Sequence, residues 1–224
     1  MIFQDLHTWN VAQPEALVIQ SKLRGQIQIR KLDGVIEKIG AVDTVFDQES
    51  NLLIAAACVF SYPDLEVIEQ KTASAKAKFP YIPGLHVFRE GPVILKALEK
   101  LATCPDLILF SGHGIAHPRK IGLASHIGLI TDIPSIGCAR KKLVGYFQNP
   151  GMKQGDYSDL LYDNARVGIA YRSRENIKPI FISPGHLCDV SGAGEIVTRC
   201  ISRYRMPEPL RAAHKLVGER KREL

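Results

Sequence analysis

Apolar positions recur at helical spacing in two stretches of the chain. Across Gln13–Arg24, Leu17, Val18 and Leu23 gather on a core-facing side, Pro14 suits a first turn and Gly25 stops the run. Residues 90–102 carry Val93, Ile94, Ala97, Leu98 and Leu101 at the same period and predict a second helix. Three runs lie between these helices: 41–46, Leu52–Ser61 and 65–72. They are strand-like, and the turn-prone segments DQESN and YPD that separate them predict an antiparallel meander. Further on, 107–110 and 135–138 are short and continuously apolar, as parallel strands buried on both faces are, and the segment between them is long enough for a helical crossover. Strands at 166–171 and 179–182, a helix at 190–203 and a polar, basic tail ending GERKREL complete the pattern. The expectation is an α/β fold in which a mixed central sheet, meander first and parallel strands after, is flanked by helices. In such sheets functional groups gather at the carboxyl ends of the parallel strands.

Composition narrows the class. With 46% hydrophobic and 23% charged residues among 224, collagen-like, coiled-coil and disordered classes are excluded. No repeat or linker divides the chain, so one domain over 1–224 is expected. There is no basic segment followed by an apolar leader, and no run reaches the ~18 apolar residues of a span, so no membrane partner is expected. The five cysteines include no CxxC pair, which argues against a disulfide framework and favours a reducing, cytoplasmic setting. An excess of 29 Lys and Arg over 23 Asp and Glu leans toward an anionic partner.

Several catalytic motifs fail on inspection. Phe110-Ser111-Gly112-His113-Gly114 is not a nucleophile elbow, because Leu109 stands where GxSxG needs glycine. His113 and His117 are four apart, but Gly114 replaces the glutamate of HExxH and Pro118 disfavours a helix through the pair. No Walker or GxGxxG signature occurs. What remains is Asp43 within the otherwise apolar run AVDTVF, which either faces solvent or holds a cation, and Glu90, which is either a first-turn acid or a ligand.

Five segments in order, PYIPGLHVFREGP (80–92), PDLILFSGHGIAHPRKIGLASHIGL (105–129), PSIGCARKKLVG (134–145), PIFISPGH (179–186) and YRMPEPLRAAH (204–214), resemble the endonuclease V family, the deoxyinosine 3′ endonucleases. The resemblance implies an RNase H-like fold. It also implies a metal-dependent DNA repair endonuclease that recognises deaminated purines and hydrolyses the second phosphodiester bond 3′ to the lesion, leaving 3′-hydroxyl and 5′-phosphate ends. Its partner would be DNA containing deaminated bases, acted on by a monomer. The rival readings are a binding protein that has lost efficient cleavage and a nuclease directed at inosine in RNA.

By the same resemblance, Asp43, Glu90 and the residue at 111 hold Mg²⁺, with Mn²⁺ able to substitute, and His214 positions the nucleophile or moves a proton. Position 111 departs from the pattern, since the family's DGxG reads Ser111-Gly112-His113-Gly114 here, and weakened metal binding and activity are expected. Pro80, Tyr81, Ile82 and Pro83 match a wedge that fills the stack vacated by the extruded nucleotide. Gly84, Gly112, Gly114, His117 and Gly122 match the base pocket, the glycines allowing close approach of the purine. Arg119, Lys120, Arg140 and Lys141 would hold phosphates, with Arg140 standing where the family has lysine.

Overall fold

The computed structural model describes residues 1–223. Its eight strands, β1 (Lys38–Asp47), β2 (Leu52–Ser61), β3 (Val67–Lys76), β4 (Leu107–Ser111), β5 (Ser135–Ala139), β6 (Tyr157–Tyr162), β7 (Ala165–Tyr171) and β8 (Ile180–His186), form one sheet in the order β3-β2-β1-β4-β5-β8-β7-β6. The helices are α1 (Gln13–Arg24), α2 (His86–Glu99), α3 (Leu123–Thr131), α4 (Val190–Arg199) and α5 (Glu208–Arg222). The expected meander is present as β1 to β3, and β1, β4 and β5 run parallel at the centre. After β5 the chain makes a second antiparallel meander, β6 to β8, where the sequence pattern suggested continued α/β alternation.

Side-chain alternation along the strands separates two cores. Ile39 and Ala41 of β1, Ala56 and Cys58 of β2, and Leu107 and Leu109 of β4 face α4 and α5. Val42, Ala55, Ala57, Ile108 and Phe110 face α1, α2 and α3. The alanines of β2 leave room for a helix on either side, so the strand is buried on both faces and reads as an unbroken apolar run.

Several boundaries differ from the sequence expectation. Val18 is exposed, and the buried stripe of α1 is Ala16, Gln20 and Leu23. α2 begins four residues before Glu90 and passes through Pro92, with Val87, Phe88 and Gly91 already buried. The 190–203 helix stops at Arg199, and most of the basic tail is α5, anchored by the sparse stripe Leu210, Ala213 and Val217. β6 was missed because it is an edge strand with one fully buried residue, Leu160. It is joined to β7 through Asp163 and Asn164, both in the left-handed region that a tight hairpin requires.

Candidate active site

The acidic centre forms where β4 ends at Ser111 while β1 runs on to Asp47. Asp43 is buried on the face of β1 covered by α5. Its Oδ1 accepts the Thr44 backbone N–H at 2.9 Å, and its Oδ2 lies 2.7 Å from His214 Nδ1, which carries the proton if the contact is a hydrogen bond. Ala213, the neighbour of His214, is buried against the sheet and sets the turn of α5 that delivers the half-exposed imidazole to the carboxylate. From the opposite layer, Glu90 of α2 accepts the Thr44 hydroxyl at 3.0 Å. Adjacent positions of β1 therefore tie the two helical layers to one strand end.

Burial pushes the Glu90 carboxyl up to about 7, against the Thr44 hydrogen bond, and the Asp43 charge adds to the rise while Arg89 opposes it. An Asp43 charge near enough to disfavour the charge of Glu90 leaves a place short of positive charge. That donor set suits a hard divalent cation, since Mg²⁺ is commonly held by one or two carboxylates with waters and substrate phosphate completing the shell. Extending the β1–β4 register by one step beyond Val42 opposite Phe110 places Ser111 beside Asp43. Ser111 is exposed, and its hydroxyl is the only side-chain donor it offers. No cluster of three or more His, Cys, Asp or Glu side chains arranged for a metal ion occurs among the described residues.

A cavity of about 210 Å³ adjoins this centre, and Glu90 and Ser111 belong to its wall. Tyr81, 68% exposed, stands at the same wall with its ring centroid 4.8 Å from that of His86. The loop that carries Tyr81 is fastened at Gly84, which has a φ of +78° and therefore favours glycine. The Gly84 carbonyl accepts from Gln20 Nε2 at 3.1 Å, His117 Nε2 at 3.0 Å and Arg119 Nη2 at 2.6 Å. With its Nδ1 accepting from the Arg119 backbone, His117 has both ring nitrogens engaged, and burial pulls its pKa down to about 3.

Of the five pocket positions read from the sequence, Gly84, Gly112, His117 and Gly122 line the cavity, and Gly114 does not. A Cβ at Gly114 would stand 1.9 Å from the Pro184 carbonyl oxygen, and one at Gly122 would stand 2.3 Å from that of His113. Close packing within the protein thus accounts for these two glycines. Arg119 spends its guanidinium on Gly84 and Gln20, and Lys120 lies 3.5 Å from Asp163. Arg140 and Lys141 are exposed just past the end of β5 and take part in no ion pair among the described residues. Pro80 and Pro83 are exposed beside Tyr81, whereas Ile82 packs on the core beneath.

Sequence reasoning missed Thr44, Gln20, His86 and His113 as parts of the site. His113 Nδ1 and His86 Nε2 are buried with no hydrogen-bond partner, and both residues line the cavity. Burial holds the His113 pKa down to about 4 and also lowers that of His86, so both rings are neutral at pH 7.

The comparisons with known proteins agree with this architecture. A mixed sheet with helices on both faces and acidic residues at the end of its central parallel strands is an RNase H-like arrangement, and the solved neighbours have that fold. The chain belongs to the endonuclease V family, whose model matches residues 21–215. It is 45% identical to an endonuclease V of Methanothrix thermoacetophila over 222 residues, covering 99% of this chain and 98% of that protein. The crystal structure of endonuclease V from Streptomyces avermitilis superposes with a TM-score of 0.91 at 36% identity, covering 96% of this chain and 95% of the other. An endonuclease V of Ciona intestinalis, solved with a 24mer DNA containing an inosine followed by a ribo-adenosine, superposes with a TM-score of 0.83 at 26% identity, covering 94% and 98%. Nuclease activity and DNA binding follow from family membership. No helix of the described residues is long and apolar enough to cross a membrane.

Proposed function

We propose that this chain, acting as one domain, is a repair endonuclease that extracts a deaminated purine from DNA and cuts the second phosphodiester bond on its 3′ side. The observation that carries this reading is the meeting, at one strand end, of the Asp43–His214 pair, Glu90 and a base-sized cavity with an exposed tyrosine at its rim. A cavity of about 210 Å³ is smaller than the usual range for drug-sized ligands, which suits a single planar base. Tyr81, stiffened by Pro80 and Pro83, fills the gap in the stack and offsets part of the unstacking cost. The neutral imidazoles of His86 and His113 and the backbone at Gly84 and Gly112 surround the everted base.

Asp43 and Glu90 would hold a divalent cation, Mg²⁺ or Mn²⁺, with Ser111 as a weak third contact. When bound, such an ion stabilises negative charge developing on the phosphate and makes water a better nucleophile. Asp43 orients the His214 imidazole, whose exposed edge is free to position water or take up its proton. Arg140 and Lys141 supply positive charge to the backbone beside the cavity.

The serine at 111 favours slow cleavage with recognition retained, because one carboxylate fewer faces the cation. The test is binding to matched duplexes with and without inosine at several salt concentrations, followed by single-turnover nicking with Mg²⁺ and with Mn²⁺ and a parallel inosine-RNA arm. Preferential binding of inosine with slow nicking that Mn²⁺ improves is expected. Equal affinity for both duplexes at every salt concentration refutes the recognition claim.

A further inference from the structure

On the flank of α2, the side chains of Arg89, Pro92, Val93 and Lys96 follow one another at i, i+3, i+4 and i+7 and make a single stripe along the helix. They form one wall of a trough of about 240 Å³. Lys76 and Lys78 stand on its opposite side where the chain leaves β3, and Trp9 packs into it over Gly91. Four cationic side chains line the trough, and no Asp or Glu does. Lys76, Lys78 and Lys96 are exposed and enter no ion pair among the described residues. Unpaired cations gathered over an apolar floor, without counter-charge, are an anion track more than a solvated face.

The wall of the trough comes nearest the acidic centre at Arg89. Arg89 adjoins Glu90, its Nη1 donates to the Phe79 carbonyl at 2.7 Å, and its guanidinium lies 4.3 Å from the centroid of Phe46, three residues past Asp43. Lys78 immediately precedes Phe79 and the tyrosine loop. Along the helix Lys96 is two turns from Arg89, about 10.5 Å at 1.5 Å per residue.

We propose that this trough is a track for the DNA backbone beyond the cleavage site, with Lys76, Lys78 and Lys96 on phosphates and Trp9 as part of its apolar floor. The proposal rests on the endonuclease reading for the identity of the polyanion. It adds a second contact region, on the other side of α2 from the base cavity, that grips damaged and undamaged DNA alike.

The test is the triple substitution Lys76→Ala, Lys78→Ala, Lys96→Ala in the full chain, beside a Lys→Arg triple variant that keeps the charge. Thermal unfolding checks that both are folded, and binding to inosine and plain duplexes is measured from 50 to 200 mM salt. If all three lysines touch phosphates, the slope of log affinity against log salt becomes shallower by about 2.7 in the alanine variant. Both duplexes should lose affinity in parallel by about 10- to 100-fold at low salt, so that inosine preference is kept. The arginine variant should stay near the wild-type slope. An unchanged slope in the folded alanine variant overturns the track, whatever the lesion preference. A wild-type protein without inosine preference removes the endonuclease reading instead and leaves the salt-slope result for the trough standing.

Discussion

Replacing Ser111 by aspartate tests the electrostatics of the proposed centre directly. The β1–β4 register sets position 111 beside Asp43, and neighbouring strands lie about 4.8 Å apart. At an effective dielectric of about 20, two carboxylates about 5 Å apart repel by about 3 kcal/mol, and solvent at this exposed position reduces that figure. Ser111→Asp should therefore be less stable than wild type without metal. A divalent cation about 4 Å from the new charge gains about 8 kcal/mol before screening and loss of its water, which leaves a net gain of about 2–4 kcal/mol. That corresponds to metal binding about 30- to 700-fold tighter. Titration calorimetry with Mn²⁺, thermal unfolding with and without the ion, and single-turnover nicking of an inosine duplex measure the three consequences. If the variant is neither destabilised without metal nor tighter with it, Asp43 and position 111 do not share an ion. If wild type already nicks as fast as the variant, the serine is no handicap.

Three further outcomes are expected. Gly114→Ala must push a Cβ into the Pro184 carbonyl and should cost about 3 kcal/mol or more in urea unfolding, while Gly112→Ala, whose Cβ meets the Leu123 side chain at 3.4 Å, should cost under about 1 kcal/mol; equal effects would contradict the packing. Tyr81→Ala should leave stability within about 0.5 kcal/mol, because the ring is mostly exposed, yet weaken binding of an inosine duplex about 10-fold as followed by fluorescence anisotropy; unchanged binding would remove the wedge. Stability should also fall in mild acid. His117 and His126 are buried with pKa values held down to about 3, so the unfolded chain takes up protons first as pH drops below about 6.5, and each histidine costs about 2 kcal/mol by pH 5. Glu90 acts in the opposite sense, since its raised pKa favours the folded state at low pH and penalises it as pH rises through about 7. In a Glu90→Gln variant, which removes that opposing titration, a urea midpoint that stays flat between pH 7 and 5 would show that the histidine effect is absent.

The central strands were legible because burial on both faces leaves an unbroken apolar run, as at 107–110 and Leu52–Ser61. α5 was read only as a basic tail because it buries a stripe of just Leu210, Ala213 and Val217 amid charge, and β6 escaped because an edge strand alternates weakly. Asp43 and Glu90 stood out as acids in their local sequence, their metal role and His214 came through family resemblance, and the fold places His214 in contact with Asp43 and joins Glu90 to the next residue, Thr44. Gln20 and the unpartnered nitrogens of His86 and His113 left no local mark. Gln20 meets the Gly84 carbonyl across 64 residues of chain, an encounter that only the packed layers create.

The Asp43–His214 contact has a consequence for the order of assembly during synthesis. A nascent chain that has not yet extended through α5 already possesses every strand of the sheet, yet it leaves Ala41, Ala56 and Cys58 uncovered and Asp43 without its imidazole partner. α5 thus covers that face and delivers His214 together, so the Asp43–His214 pair forms only after all eight strands have been made.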